Sequence, residues 1–316
     1  MPGRAYELAR KRLWMDRVYP SSVRGNAELC EISDSANILP SFFVIGPPRT
    51  GTTWLYEILR ERTLLPFPTK ETRFFDAHFQ RGWGWYAAHF HPTKIGQRVG
   101  EIAPTYFASA LARERIAGVL PHAKVVCIFR NPVERILSLY KLKCAYGLMR
   151  WNFEQALVHD SEMLESGRYA TKLQDWQCAL GTEQVLPMVY DDMREAPQSF
   201  LDRLVDFIDV PRFKVEVSGE NKVHTSETLT YPRNYWSTRN ASTLADWFKA
   251  RRLDGVVSAV RNSPLRKLFL GGGAPFTDLP RDVVADLYTL FRPEVEKLER
   301  ILNRDLAAWK SYEPAV

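Results

Sequence analysis

Residues 41–45 (SFFVI) form a short apolar run that stops at Gly46-Pro47-Pro48, and a helical pattern begins soon after. A run of this length bounded by Gly and Pro reads as a buried strand. Trp54, Leu55, Ile58 and Leu59 then share one face of a helix expected over residues 52–62. The connection is Gly46-Pro47-Pro48-Arg49-Thr50-Gly51-Thr52-Thr53-Trp54. A helix start presents backbone N–H groups and the positive end of its dipole, so a strand–loop–helix unit of this kind suits an anion. Gly51 permits close backbone approach, and Thr52 and Thr53 add hydroxyl donors. The alternative is a turn that merely joins a strand to a helix.

The spacing is that of a nucleotide-phosphate loop, G-x-x-x-x-G-K-[ST], except that Thr52 stands where the motif has Lys. The positive charge sits three residues earlier, at Arg49. Residues 123–129 (AKVVCIF) form a second strand-like run, followed by Arg130-Asn131-Pro132. A phosphate loop of the kinase type works with an acidic magnesium ligand at a strand end, whereas this strand delivers Arg130. Ser138 follows eight residues later, on a helix marked by Val133, Ile136, Leu137 and Tyr140. Arg130 as a fork and Ser138 as a hydroxyl donor suit a second phosphate. The alternative is an exposed arginine at a strand end. Residues 184–189 read as a third strand, weakened by Pro187. Residues 198–208 read as a helix, and Arg281–Leu302 as an amphipathic helix with a possible kink at Pro293. Strands alternating with helices predict an α/β fold: a P-loop-type central parallel β-sheet flanked by helices on both faces.

The chain has 316 residues, 45% of them hydrophobic, and 43 Lys and Arg against 37 Asp and Glu give a formal net charge of +6. That balance excludes a disordered chain. No apolar stretch reaches the roughly 18 residues of a membrane span. The opening residues lack the apolar run of a secretion signal, so a cytoplasmic protein is expected. Cys30, Cys127, Cys144 and Cys178 are widely separated and read as free thiols, not as a disulfide scaffold or zinc site. A single domain is expected over residues 1–316, with a basic helical segment at 1–37 and a loop-rich covering region at 212–280.

These residues carry a resemblance. Arg49-Thr50-Gly51-Thr52-Thr53 and the Arg130…Ser138 pair resemble the 5′-phosphosulfate loop and 3′-phosphate motif of sulfotransferases that use 3′-phosphoadenosine-5′-phosphosulfate (PAPS). Within that superfamily the chain is most similar to the heparan-sulfate group: the N-deacetylase/N-sulfotransferases, the glucosaminyl 3-O-sulfotransferases and their bacterial relatives. Lys70-Glu71-Thr72-Arg73-Phe74-Phe75-Asp76 resembles that group's KE-x-x-FFD segment, and Gly84-Trp85-Tyr86 its (G/D)-W-Y. Gly100-Glu101-Ile102-Ala103-Pro104-Thr105-Tyr106-Phe107 resembles its GEK-(S/T)-P-x-YF. Gly167-Arg168-Tyr169 through Trp176 resembles its GxY…W stretch. The motifs stand in the family's order over residues 41–210.

Arg49 stands where the family usually has Lys and other sulfotransferase branches have Arg, and the resemblance implies that it holds the 5′-phosphate and stabilises charge on the departing oxygen. Thr50, Gly51, Thr52, Thr53 and Trp54 would complete the phosphosulfate site, and Arg130 and Ser138 would hold the 3′-phosphate. Glu71 matches the catalytic base of the heparan-sulfate group, the alternative being a surface carboxylate paired with Lys70 or Arg73. Arg73 and Asp76 match acceptor contacts, with Arg73 where His is common. Trp85 and Tyr86, in a cluster with Trp83 and Phe90, are candidates to stack on the acceptor, the alternative being ordinary core. Ile102 stands where the glycan enzymes have Lys. The family's late basic glycine loop has no clear match before Pro280, although Gly271-Gly272-Gly273, Arg266 and Lys267 lie nearby. His89 and His91 are alternative bases.

The implied activity moves the sulfuryl group of PAPS to a hydroxyl or amine by in-line displacement and releases adenosine 3′,5′-bisphosphate. The acceptor is a small molecule, a lipid or a glycan, and neither a metal nor a nucleic acid is expected. A P-loop kinase and a non-catalytic polyanion-binding protein are the alternatives. Thr52 and Arg130 count against the first, and the mixing of basic with acidic residues against the second.

Overall fold

The computed structural model describes residues 39–91, 96–215, 229–250, 272–277 and 279–311. Four parallel strands form the central sheet: β1 (Phe42–Val44), β2 (Gly100–Ile102), β3 (Lys124–Phe129) and β4 (Val185–Val189), in the order β2-β1-β3-β4. Phe43 lies opposite Glu101 on one side and Val125 on the other. The main helices are α1 (Thr52–Leu59), α2 (Ala110–Val119), α3 (Pro132–Ala145), α4 (Tyr169–Leu180), α5 (Pro197–Phe207), α6 (Tyr235–Ala250) and α7 (Arg281–Leu302).

Alternate strand residues face opposite cores, and both faces are covered. Phe43, Val125, Cys127 and Phe129 pack with Ile116 of α2, Leu173 and Trp176 of α4, and Leu298 of α7. Phe42, Val44, Val126 and Ile128 pack with Leu55 and Leu59 of α1 and Leu201 and Leu204 of α5. This two-sided burial is why the strands read as continuous apolar runs. Each such side chain contributes roughly 1.5–3 kcal/mol by leaving water. A third cluster joins Ile136 and Leu139 of α3 to Leu287 and Phe291 of α7.

Local signals fix the elements that carry the site. The Asn131 side chain accepts from the Val133 N–H at 3.0 Å and Pro132 occupies the first turn, so α3 starts directly after β3. Pro187 is tolerated because β4 is an edge strand. Helix α7 runs through Pro293 without interruption. The next residue, Glu294, ties it to α4 by accepting from the Thr171 N–H at 3.0 Å and the Thr171 hydroxyl at 2.6 Å.

The structure adds elements beyond those expected, helices α2 and α4 among them. Strand β2 was not expected, because three residues inside a motif give no readable period. Only part of the 212–280 region is among the described residues. It contributes the 16-residue α6 and an antiparallel pair, β5 (Thr230–Pro232) with β6 (Gly272–Pro275). The expected helical segment at 1–37 lies outside the described residues, as do Arg266, Lys267 and Gly271. Among the described residues no helix is long and apolar enough to cross a membrane.

Candidate active site

Glycine sets both ends of the phosphate loop. A Cβ on Gly46 would lie 2.7 Å from the Ile128 backbone nitrogen, so only glycine lets the end of β1 pass β3 at this point. Gly51 adopts φ 82° and precedes α1. No side chain caps that helix and no acidic residue lies in its first turn, which leaves its N-terminus suited to an external anion. Thr50 is fully buried and its hydroxyl donates to the Pro47 carbonyl at 2.8 Å, so it shapes the loop from within. Thr53 is exposed, and Trp54 is half-buried against the α1–α5 core.

The two phosphate motifs meet. Arg49 Nε donates to Ser138 Oγ at 2.8 Å, across 89 residues of chain. Arg130 leaves the end of β3, lies 5.0 Å from the centre of the Tyr190 ring and donates to Glu134 Oε2 at 2.8 and 3.2 Å. Burial, and then the neighbouring Arg130 charge, lower the pKa of Arg49. Two guanidinium groups are thus held close enough to repel, an arrangement that a bound polyanion relieves.

A third cation joins them. Lys70 Nζ donates to Thr52 Oγ1 at 3.2 Å and stands 3.3 Å from Glu71 Oε1. Burial lowers the Lys70 pKa most; Glu71 opposes that and Arg49 adds to it. Lys70 carries no role in the sequence reading, because only the fold brings it to the loop. The available signal was its place directly before the candidate base.

The segment bearing Glu71 is anchored by a buried carboxyl. Glu101 Oε1 accepts from the Thr72 N–H at 2.8 Å and the Thr72 hydroxyl at 2.6 Å. Its Oε2 accepts from the Tyr86 hydroxyl at 3.0 Å and the Tyr106 hydroxyl at 3.2 Å. Glu101 is fully buried, and that burial pushes its pKa up to about 7 against the four hydrogen bonds. Glu71 itself keeps 29% of its side chain exposed, enough to meet an acceptor.

The aromatic residues divide. Tyr86 is 1% exposed, its ring stacks on Phe74 at 4.5 Å, and its hydroxyl is spent on Glu101. This corrects the expectation that Tyr86 meets the acceptor: it is core, as are Trp83 and Phe90. Trp85 is half-buried between Arg81, 5.1 Å from its ring, and His89, 4.4 Å away, and so remains next to the surface. Arg73 is exposed at φ 54° and forks onto Asp76 Oδ2 at 3.2 and 3.3 Å. His89 Nδ1 lies 2.9 Å from the Trp85 carbonyl, and His91 is exposed. Ile102 is fully buried in the core beside α1.

The chain is similar to known proteins in sequence and in fold. A family model described as the sulfotransferase domain matches residues 39–243. The bifunctional heparan sulfate N-deacetylase/N-sulfotransferase 1 of Homo sapiens is 28% identical over 221 residues, 63% of this chain and 25% of that protein. Its Caenorhabditis elegans counterpart is 27% identical over 286 residues, 84% of this chain and 30% of that protein. The chain therefore spans under a third of the length of these relatives. A sulfotransferase structure from Alicyclobacillus acidocaldarius superposes with a TM-score of 0.60 at 19% identity, covering 86% of this chain and 99% of that one. That likeness shows the fold.

Proposed function

The chain belongs to the sulfotransferase family, and from that premise we propose that it moves a sulfuryl group from PAPS to an acceptor hydroxyl or amine, with Glu71 as general base. The contact between Arg49 and Ser138 carries this reading, because it joins the phosphosulfate loop and the 3′-phosphate motif into one cationic site. A donor with a phosphosulfate at one end and a separate 3′-phosphate at the other places negative charge at both motifs.

In the step, the acceptor oxygen or nitrogen forms a bond to sulfur as the bond from sulfur to the 5′-phosphate oxygen breaks. The bonding pair passes to that oxygen, and the acceptor's proton passes to Glu71. A positioned base of this kind supplies about 10²–10⁴ in rate. Arg49 and the start of α1 hold the phosphate, where negative charge grows as the bond breaks. Arg130, now paired with Glu134, turns to the 3′-phosphate.

The names of the heparan sulfate relatives favour a glycan acceptor, with the exposed Arg73 and the half-buried Trp85 available to meet it. The test is transfer of ³⁵S from PAPS to panels of glycan, lipid and small-molecule acceptors, with ATP labelled in its γ-phosphate as control. Labelled acceptor with one adenosine 3′,5′-bisphosphate released per transfer, without added magnesium, is expected. Phosphoryl transfer from ATP in place of sulfuryl transfer overturns the proposal.

A further inference from the structure

We propose that Lys70 is a catalytic residue whose ammonium group joins Arg49 at the phosphate loop, contacting the oxygen that bridges sulfur and the 5′-phosphate. This rests on the donor reading above. The loop's own cation is the guanidinium of Arg49, and Ile102, where the glycan enzymes have Lys, is fully buried in the core. Neither position supplies an ammonium group.

The group arrives instead from a segment 18 residues away, with Lys70 Nζ 3.2 Å from Thr52 Oγ1. Thr52 is the first residue of α1, so the ammonium stands beside the helix N-terminus where an anion meets the loop. The Lys70 side chain is only 20% exposed and pairs with Glu71. Burial and then the Arg49 charge weaken its hold on its proton, and an anion placed beside Lys70 and Arg49 opposes that shift.

The same geometry links the two ends of the reaction. Lys70 Nζ reaches Thr52 at 3.2 Å and Glu71 at 3.3 Å, so one side chain spans the phosphate loop and the base. When Lys70 turns from Glu71 to the bridging oxygen, Glu71 is released to accept the acceptor's proton. Lys70 keeps its own proton throughout. As the bond from sulfur to oxygen breaks, the electron pair gathers on the bridging oxygen and the hydrogen bond from Nζ strengthens. An interaction that grows in this way raises kcat more than it raises affinity.

A lysine that only neutralised Glu71 would not respond to the breaking bond, whereas a lysine on the bridging oxygen meets its full charge in adenosine 3′,5′-bisphosphate, which keeps that oxygen and lacks only the sulfuryl group. The experiment therefore measures calorimetric affinity for both nucleotides, and the rate at which bound PAPS is broken down by water, in the wild type, Lys70→Met and Lys70→Arg. Lys70→Met is expected to weaken bisphosphate binding about tenfold while PAPS binding, where the bridging oxygen carries little charge, changes less than about threefold. Its breakdown rate at saturating PAPS falls about a hundredfold, and Lys70→Arg recovers part of both losses. Equal losses for the two nucleotides, no loss for either, or an unchanged breakdown rate overturns the proposal. If Lys70→Met does not fold, judged by its melting temperature, Lys70→Gln carries the same comparison. A wild type that binds the bisphosphate no better than AMP overturns the donor reading, and this proposal with it.

Discussion

Glu101→Gln replaces a fully buried carboxyl with an amide of nearly the same size. In the wild type, Thr72 donates twice to one carboxyl oxygen, and Tyr86 and Tyr106 donate to the other. Burial nevertheless wins and raises the pKa from 4.5 to about 7. The folded chain then keeps this proton to higher pH than the unfolded chain does. Between 4.5 and about 7 the unfolded state binds fewer protons, so stability falls as pH rises through that window. At 1.36 kcal/mol per pH unit the full loss above the window is roughly 3 kcal/mol. For a chain of 316 residues, an unfolding entropy of about 2.1 cal/mol/K per residue turns this into about 5 °C of Tm. Glutamine does not titrate, and every other group cancels in the comparison. Scanning calorimetry of both proteins at about pH 5 and about pH 8.5 should show the wild type losing about 5 °C relative to the variant as pH rises. A Tm difference that stays constant across that range refutes the reasoning.

Three further substitutions test the loop and its phosphate contacts. Arg130→Ala should weaken calorimetric binding of adenosine 3′,5′-bisphosphate about ten- to a hundredfold and leave AMP binding little changed, because Arg130 is assigned to the 3′-phosphate. Arg49→Ala should lower kcat more than it lowers bisphosphate affinity, since charge on the leaving oxygen grows only as the bond breaks. A raised KM with unchanged kcat would assign Arg49 to ground-state binding. Gly46→Ala should destabilise the fold by about 1–3 kcal/mol or more in denaturant titrations, because its Cβ would meet the Ile128 backbone and not a side chain that can move.

Much of the fold was legible because its signals are local. The apolar runs before Gly46 and Arg130 are β1 and β3, and Asn131-Pro132 begins α3 as such residues do. The site divides along the same line. Arg49 and Ser138 were readable as two anion motifs, but their 2.8 Å contact depends on the parallel neighbours β1 and β3 delivering both loops to one end of the sheet. Lys70 was hidden for that reason: its partner Thr52 lies across a chain reversal that no periodicity encodes. Tyr86 was misplaced because an aromatic beside a glycine and a tryptophan looks the same whether it meets a sugar or a core. Only the buried Glu101, itself on the unexpected β2, decides between them.

Glu71→Gln tests the central claim most directly, read as sulfuryl transfer rate beside bisphosphate affinity and melting temperature. The substitution keeps size and removes the basic site, so the rate should fall by about 10²–10⁴. Nucleotide affinity and Tm should persist, because the phosphate contacts are assigned to Arg49, the start of α1, Arg130 and Ser138, and because Thr72 and Glu101 anchor the segment independently. A variant that transfers sulfuryl groups at close to the wild-type rate would contradict the account, for the acceptor's proton would then leave by another group.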